Sequence, residues 1–133
     1  MTTIQVAAGI IENERGEVLI AQRPPGSRLA GKWEFPGGKL EVGESAAQAL
    51  IRELKEELEL DVSIVHFLGE FPHSYTWGRI VLHTFRVSAL NTPQTTASVH
   101  VFRWITPAAL DVSQLAEADI EPFYFYLRSL TKT

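Results

Sequence analysis

Three glutamates, Glu53, Glu56 and Glu57, stand in the run RELKEELEL at residues 52–60. On a helix turning about 100° per residue they occupy positions i, i+3 and i+4, hence one face and one turn. Like charges so spaced repel by roughly a few tenths of a kcal/mol per pair in an isolated helix. Two readings are open. One is a solvated face in which Arg52 pairs with Glu56. The other is a carboxylate cluster held around a hard cation. Glu53 and Glu57 flank the leucine stripe of this helix rather than opposing it, which places them at the edge of its buried face. Partly buried like charges are costly unless something positive joins them, and an oxygen-only set suits Mg²⁺ or Mn²⁺. Just upstream, FPGGK sets two glycines after an apolar run, where backbone can approach a ligand closely.

Such a cluster needs a scaffold. Ser45 and Gln48 have capping-box spacing, and Ala47, Leu50, Ile51, Leu54 and Leu58 form a helical stripe, which predicts a helix over 46–58. Residues 4–11 and 17–23 read as two strands joined through ENERG, with Gly16 in the turn. Residues 24–31 read as loop, and Trp33-Glu34-Phe35 as a short strand stopped by Pro36-Gly37-Gly38. Further strands are expected at 62–70, 79–88 and 99–105, with Tyr75 and Trp77 on a loop of the FPHSYTWGR stretch and a polar loop at 91–98. Thr106-Pro107 resembles an N-cap and N1 pair, and a last helix begins near Asp119 with Phe123, Tyr124, Tyr126, Leu127 and Leu130 as its apolar residues. The expectation is one mixed α/β domain spanning residues 1–133.

Composition narrows the partners. A net charge of −4 with no basic run speaks against a long nucleic-acid partner. A small anionic ligand stays open, given metal ions or local cations. The absence of cysteine excludes thiolate chemistry and fits an intracellular, cytoplasmic location. No stretch approaches the length of a membrane span, and MTTIQVAAGIIENERGE lacks the positive start of a signal peptide.

Read from Gly38, the chain runs Gly, five residues, Glu44, seven residues, then Arg52-Glu53-Leu54-Lys55-Glu56-Glu57-Leu58-Glu59-Leu60. This resembles the Nudix box, Gly-x5-Glu-x7-Arg-Glu-U-x-Glu-Glu-x-Gly-U with U aliphatic, at every fixed position but Glu59. AAGIIENERGEVLIAQRP, WEFPGGK, GRIVLHTFRV and LAEADI, in that order, are similar to the MutT branch of that superfamily, so the likeness covers most of the chain.

The resemblance implies a Nudix fold of class α/β (α+β), a mixed curved sheet sandwiched between helices. It implies Mg²⁺, or Mn²⁺ as a substitute, on Glu53, Glu56 and Glu57 with the Gly37 carbonyl. Water would attack a diphosphate bridge of a nucleoside triphosphate, releasing the monophosphate and pyrophosphate. Arg52 would orient the glutamates, and Glu44 would accept backbone N–H groups or hold Arg52. Arg23 and Lys39 would contact the phosphates and Gly38 the substrate, although as bare residues the two cations read more often as plain solvated side chains. Phe35, Tyr75 and Asp119 would face the base, with Trp77 a further stacking candidate; core packing for Phe35, hairpin packing for Tyr75 and Trp77, and helix capping for Asp119 are the alternatives.

Relatives often carry another glutamate before the strand ending in Trp104. Here TTASVHVFRW offers Ser98 and His100 but no acid. Either Glu53 does the proton transfer, which is favoured, or His100 contributes, or the rates are modest. Glu59, where the family has glycine, is expected to be exposed and structural in a left-handed helix-ending position. The leading expectation is a MutT-type hydrolase of 8-oxo-dGTP that sanitises the nucleotide pool. A CTP or dCTP pyrophosphohydrolase is the alternative, and a non-catalytic nucleotide sensor the third reading. The partner would be a small nucleotide, and the protein a monomer or homodimer.

Overall fold

The computed structural model describes residues 2–96 and 101–131. Its strands are β1 (Thr3–Glu12), β2 (Val18–Gln22), β3 (Trp33–Glu34), β4 (Gly37–Lys39), β5 (Val62–Tyr75), β6 (Gly78–Ala89) and β7 (Phe102–Ile105), with helices α1 (Ala46–Leu58) and α2 (Ile120–Leu130). They form one mixed sheet in the order β3-β2-β1-β6-β5, with β4 added against β1 and β7 against β2. β1 runs parallel to β6, and the other pairings are antiparallel.

The layering follows from β1. Its central residues are buried on both faces, which is why the sequence there is an unbroken apolar run rather than an alternating one. Ala7 and Ile11 join Leu50, Leu54 and Leu58 of α1 in one core cluster. Ile10, on the opposite side of the pleat, joins Phe123 and Tyr126 of α2 in another. The two helices therefore cover opposite faces of the sheet, the expected α+β sandwich. Leu50, Leu54 and Leu58 are fully buried, and each such burial stabilises by about 1.5–3 kcal/mol.

Helix α1 has the expected bounds and capping box, with Ser45 accepting from the Gln48 backbone and Gln48 reaching back to the Ser45 N–H. One stripe position is corrected: Ile51 is 46% exposed, and Ala49 is buried in its stead. At the far end Glu59 is left-handed, φ 51° and ψ 34°. Its N–H bonds to the Lys55 carbonyl and that of Leu60 to Leu54, the double closure typical of a helix that ends in glycine. Glu59 is exposed. Residues 91–96 are more than a polar loop, since they complete this helix end. The Gln94 N–H donates to the Leu58 carbonyl at 2.7 Å and the Thr96 hydroxyl to that of Glu57 at 2.5 Å.

Three further expectations are corrected. Pro36-Gly37-Gly38 ends β3, yet Gly37–Lys39 at once forms β4 by pairing with Val6, Ala7 and Ala8 of β1. β5 continues through 71–75, so Tyr75 ends a strand rather than sitting on a loop. Bulges after Ile64 and Phe67 interrupt the ladder; beyond them Phe71, His73 and Tyr75 alternate inward against outward Pro72 and Ser74. Pro72 is tolerated because β5 is an edge strand. Finally, a 3₁₀ turn at Glu117–Asp119 precedes α2, and Asp119 makes no side-chain cap. Ser98 and His100 lie outside the described residues. No helix among the described residues is long and apolar enough to cross a membrane.

Candidate active site

Arg52 is the hub on the surface side of α1. Its Nε donates to Glu44 Oε2 at 2.6 Å and its Nη2 to Glu44 Oε1 at 2.9 Å. Its Nη1 reaches Glu53 at 2.9 Å and Glu56 at 3.3 Å, and Nη2 also bonds the Lys39 carbonyl at 3.2 Å. Glu41, which the sequence reading passed over, approaches Nε at 3.2 Å. Glu44 does both things proposed for it, since its Oε1 also accepts from the Glu41 backbone N–H at 2.9 Å. The hydrogen bond from Arg52 holds the Glu44 carboxyl down to about 2.

Behind this hub, Glu53 packs against β4. A Cβ at Gly38 would run into the Glu53 carboxylate, and one at Gly37 into the Ala7 carbonyl oxygen. The two glycines are there for close approach: one lets β4 seat on β1, the other leaves room for an acid. Glu57 lies deeper. Burial, then the neighbouring charges of Glu53, Glu34 and Glu56, pushes its carboxyl up to about 8.

A cavity of about 460 Å³ opens beside these residues. Glu57, Gly37, Gly38 and Lys39 line it on the α1 side; Arg23, Glu34, Phe35, Tyr75, Trp77 and Asp119 line it elsewhere. Of the predicted site residues, Arg52, Glu44, Glu53 and Glu56 are not on its wall. Phe35 serves the core as well, 3% exposed and 5.9 Å from the Phe123 ring.

Asp119 is 5% exposed. Burial raises its carboxyl well above the usual range, the charge of Glu34 adds to this, and a backbone hydrogen bond from Phe35 opposes it. Glu34 was missed as a site residue. It sits between two buried aromatics of a short strand, and strand alternation turns it away from them, which was the available signal. Burial raises Glu34 too, against the lowering pull of Arg23, whose Nη1 lies 3.1 Å from it. Arg23 is thus already partnered, and its Nε bonds the Arg28 carbonyl at 2.6 Å. Tyr75 stacks on Trp77 with ring centroids 5.1 Å apart and planes 7° from parallel, and its hydroxyl accepts from the Ala118 N–H at 3.0 Å.

The donor chemistry suits a hard cation: three carboxylates and a backbone carbonyl, with the Glu57 carboxyl raised first by burial and then by neighbouring negative charge. Among the described residues no three acidic or histidine side chains converge at coordination distance. Glu53 and Glu56 are turned to Arg52 instead.

Comparison with known proteins gives a consistent assignment. The family model described as the NUDIX domain matches residues 2–127. A CTP pyrophosphohydrolase of Escherichia coli K12 is 39% identical over 121 residues, covering 90% of this chain and 88% of that one. An 8-oxo-dGTP diphosphatase of Haemophilus influenzae is 37% identical over 117 residues, covering 87% and 85%. The solution structure of the E. coli ORF135 protein superposes with a TM-score of 0.83 at 35% identity, covering 98% of this chain and 93% of that one.

Proposed function

The chain belongs to the NUDIX domain family, and from that premise we propose a Mg²⁺-dependent nucleoside triphosphate pyrophosphohydrolase that removes 8-oxo-dGTP. The coarser activity, hydrolysis at nucleotide diphosphate bonds, comes with the family and its diphosphatase members. So does a general need for a divalent metal ion. Glu53, Glu56, Glu57 and the Gly37 carbonyl would hold it. Bound there, Mg²⁺ would offset the charge of phosphates beside glutamates and stabilise the leaving pyrophosphate.

The remaining roles fall to the protein's own side chains. Glu53 would take a proton from the attacking water. Arg52, fixed by Glu44, would set the direction of the Glu53 carboxylate. Lys39 and Arg23 would meet the phosphates, and Phe35, Tyr75 and Asp119 the base. One observation carries this reading: the same cavity is lined on one side by Glu57 of α1 and the Gly37-Gly38-Lys39 strand and elsewhere by Asp119 with a parallel aromatic pair.

Burial raises the Asp119 carboxyl, which favours its neutral form, and base recognition would use that form. A neutral carboxyl donates through its O–H and accepts through its carbonyl. On 8-oxoguanine it would donate to O6 and accept from the N7–H that the oxidised base carries. The same group suits cytosine, donating to N3 and accepting from the exocyclic amine. The relative acting on CTP, alike over 90% of this chain, favours that second reading. A steady-state panel of 8-oxo-dGTP, dGTP, CTP and dCTP with Mg²⁺ and pyrophosphate detection tests both. The highest kcat/KM is expected for 8-oxo-dGTP, a cytosine preference would transfer the assignment to CTP or dCTP, and no release from any nucleotide would leave a binding module.

A further inference from the structure

Arg28 and Trp77 come from different walls of the cavity and meet at its rim, with the guanidinium carbon 4.3 Å from the indole centroid. We propose that Arg28 is a substrate-positioning residue, strapping the 24–31 loop to the β5–β6 hairpin so that the wall around the base is held closed.

The loop is built for this. Its base is clipped by backbone bonds from Arg23 N–H to the Lys32 carbonyl at 2.9 Å and from Gly31 N–H to the Arg23 carbonyl at 3.1 Å. Its tip bends through Gly26 and through Leu29, a non-glycine residue at φ 60°; a β-carbon makes that conformation unfavourable, so the contacts around it must hold it. Two of those contacts converge on Arg28: Arg23 Nε grips its carbonyl at 2.6 Å, and its side chain lies over Trp77. The circuit continues from Trp77 to the stacked Tyr75, and from the Tyr75 hydroxyl to Ala118, the neighbour of Asp119. On the other side Arg23 pairs with Glu34. Arg28 thus closes a belt of contacts around the part of the cavity that holds Glu34 and Asp119, without itself being needed to touch the base. This inference rests on the nucleotide-hydrolase reading above.

The test compares Arg28→Gln, Arg28→Lys and Trp77→Leu, each confirmed as folded by an unchanged thermal midpoint. Hydrolysis of the best nucleotide in the panel gives kcat and KM, and calorimetric titration with the corresponding nucleoside monophosphate gives Kd. Exposed cation–π contacts are worth enough to raise KM and Kd about two- to five-fold in Arg28→Gln, with kcat unchanged. Arg28→Lys should recover part of the loss, and adding Arg28→Gln to Trp77→Leu should cost nothing further. An Arg28→Gln protein equal to wild type in KM and Kd, a loss confined to kcat, or additive losses in the double variant would each overturn the strap while leaving the hydrolase reading intact. Wild-type protein that neither cleaves nor binds any nucleotide would overturn both.

Discussion

Arg52 and Glu44 are joined at two points, Nε to Oε2 at 2.6 Å and Nη2 to Oε1 at 2.9 Å, across eight positions of sequence. The planar guanidinium matches the carboxylate as a fork, a geometry that lysine cannot reproduce. The same guanidinium holds Glu53 and Glu56, so the pair sets where both carboxylates sit.

That pair makes stability depend on acid in a defined window. Glu44 is held down to about 2 in the folded protein against an ordinary 4.5. A lowered carboxyl contributes stability that is complete above the unfolded value and is lost as pH falls through the folded one. Thermal melts should therefore show the wild type losing midpoint between pH 4.5 and about 2 more steeply than Glu44→Gln. Parallel curves for the two proteins would show that the ion pair does not carry the dependence.

Glu53→Gln keeps the size of the side chain and removes its basicity. If Glu53 is the proton acceptor, kcat for pyrophosphate release should fall by about 100-fold or more, with the fold unchanged by circular dichroism. Near-full activity would move the role to another group, His100 being the alternative the sequence offers.

Gly38→Ala should be a functional rather than a folding lesion. The added methyl meets the end of the Glu53 side chain, which can swing away. If Glu53 is the proton acceptor, displacing it by about an ångström should cost on the order of 100-fold in rate, while the melting temperature should barely move. Gly37→Ala is the contrasting control: its methyl meets backbone, the Ala7 carbonyl, and the protein should lose several degrees of stability.

Glu59→Gly should do the reverse. Glu59 is left-handed and exposed, and no metal-side partner contacts its side chain among the hydrogen bonds described. Relieving that conformation should raise stability by up to about 1 kcal/mol, roughly 3 °C in melting temperature, with kcat unchanged. A large loss of activity would mean that Glu59 has chemistry of its own.

Local signals made much of this legible in advance. The capping box and leucine spacing located α1 to the residue, and the mismatch at Glu59 located its left-handed end. Elements created by pairing were not legible. Gly37–Lys39 has no strand propensity and is a strand only because β1 lies beside it. The last stretch of β5 was hidden by Pro72 and by bulges that break the alternation. In the site, motif spacing pointed to the acids on α1 and strand alternation could have pointed to Glu34, whereas Glu41 and Arg28 depend on how loops fold back toward them. No spacing rule anticipates Arg23 being shared between Glu34 and a loop carbonyl.

The two ends of α1 are finished by different parts of the chain, and this bears on the order in which the protein folds. Its first turn is capped from within, by Ser45 and Gln48. The carbonyls of Glu57 and Leu58 in its last turn wait for Thr96 and Gln94, which arrive only after β5 and β6 have been laid down. Helix nucleation at the Ser45 end is fast and local, while the closing contacts at the glutamate end span nearly forty residues and bear the entropy of that loop. The acid cluster should accordingly mature last: in refolding, helical ellipticity should return before pyrophosphate release does, so that the chain acquires its shape before its chemistry.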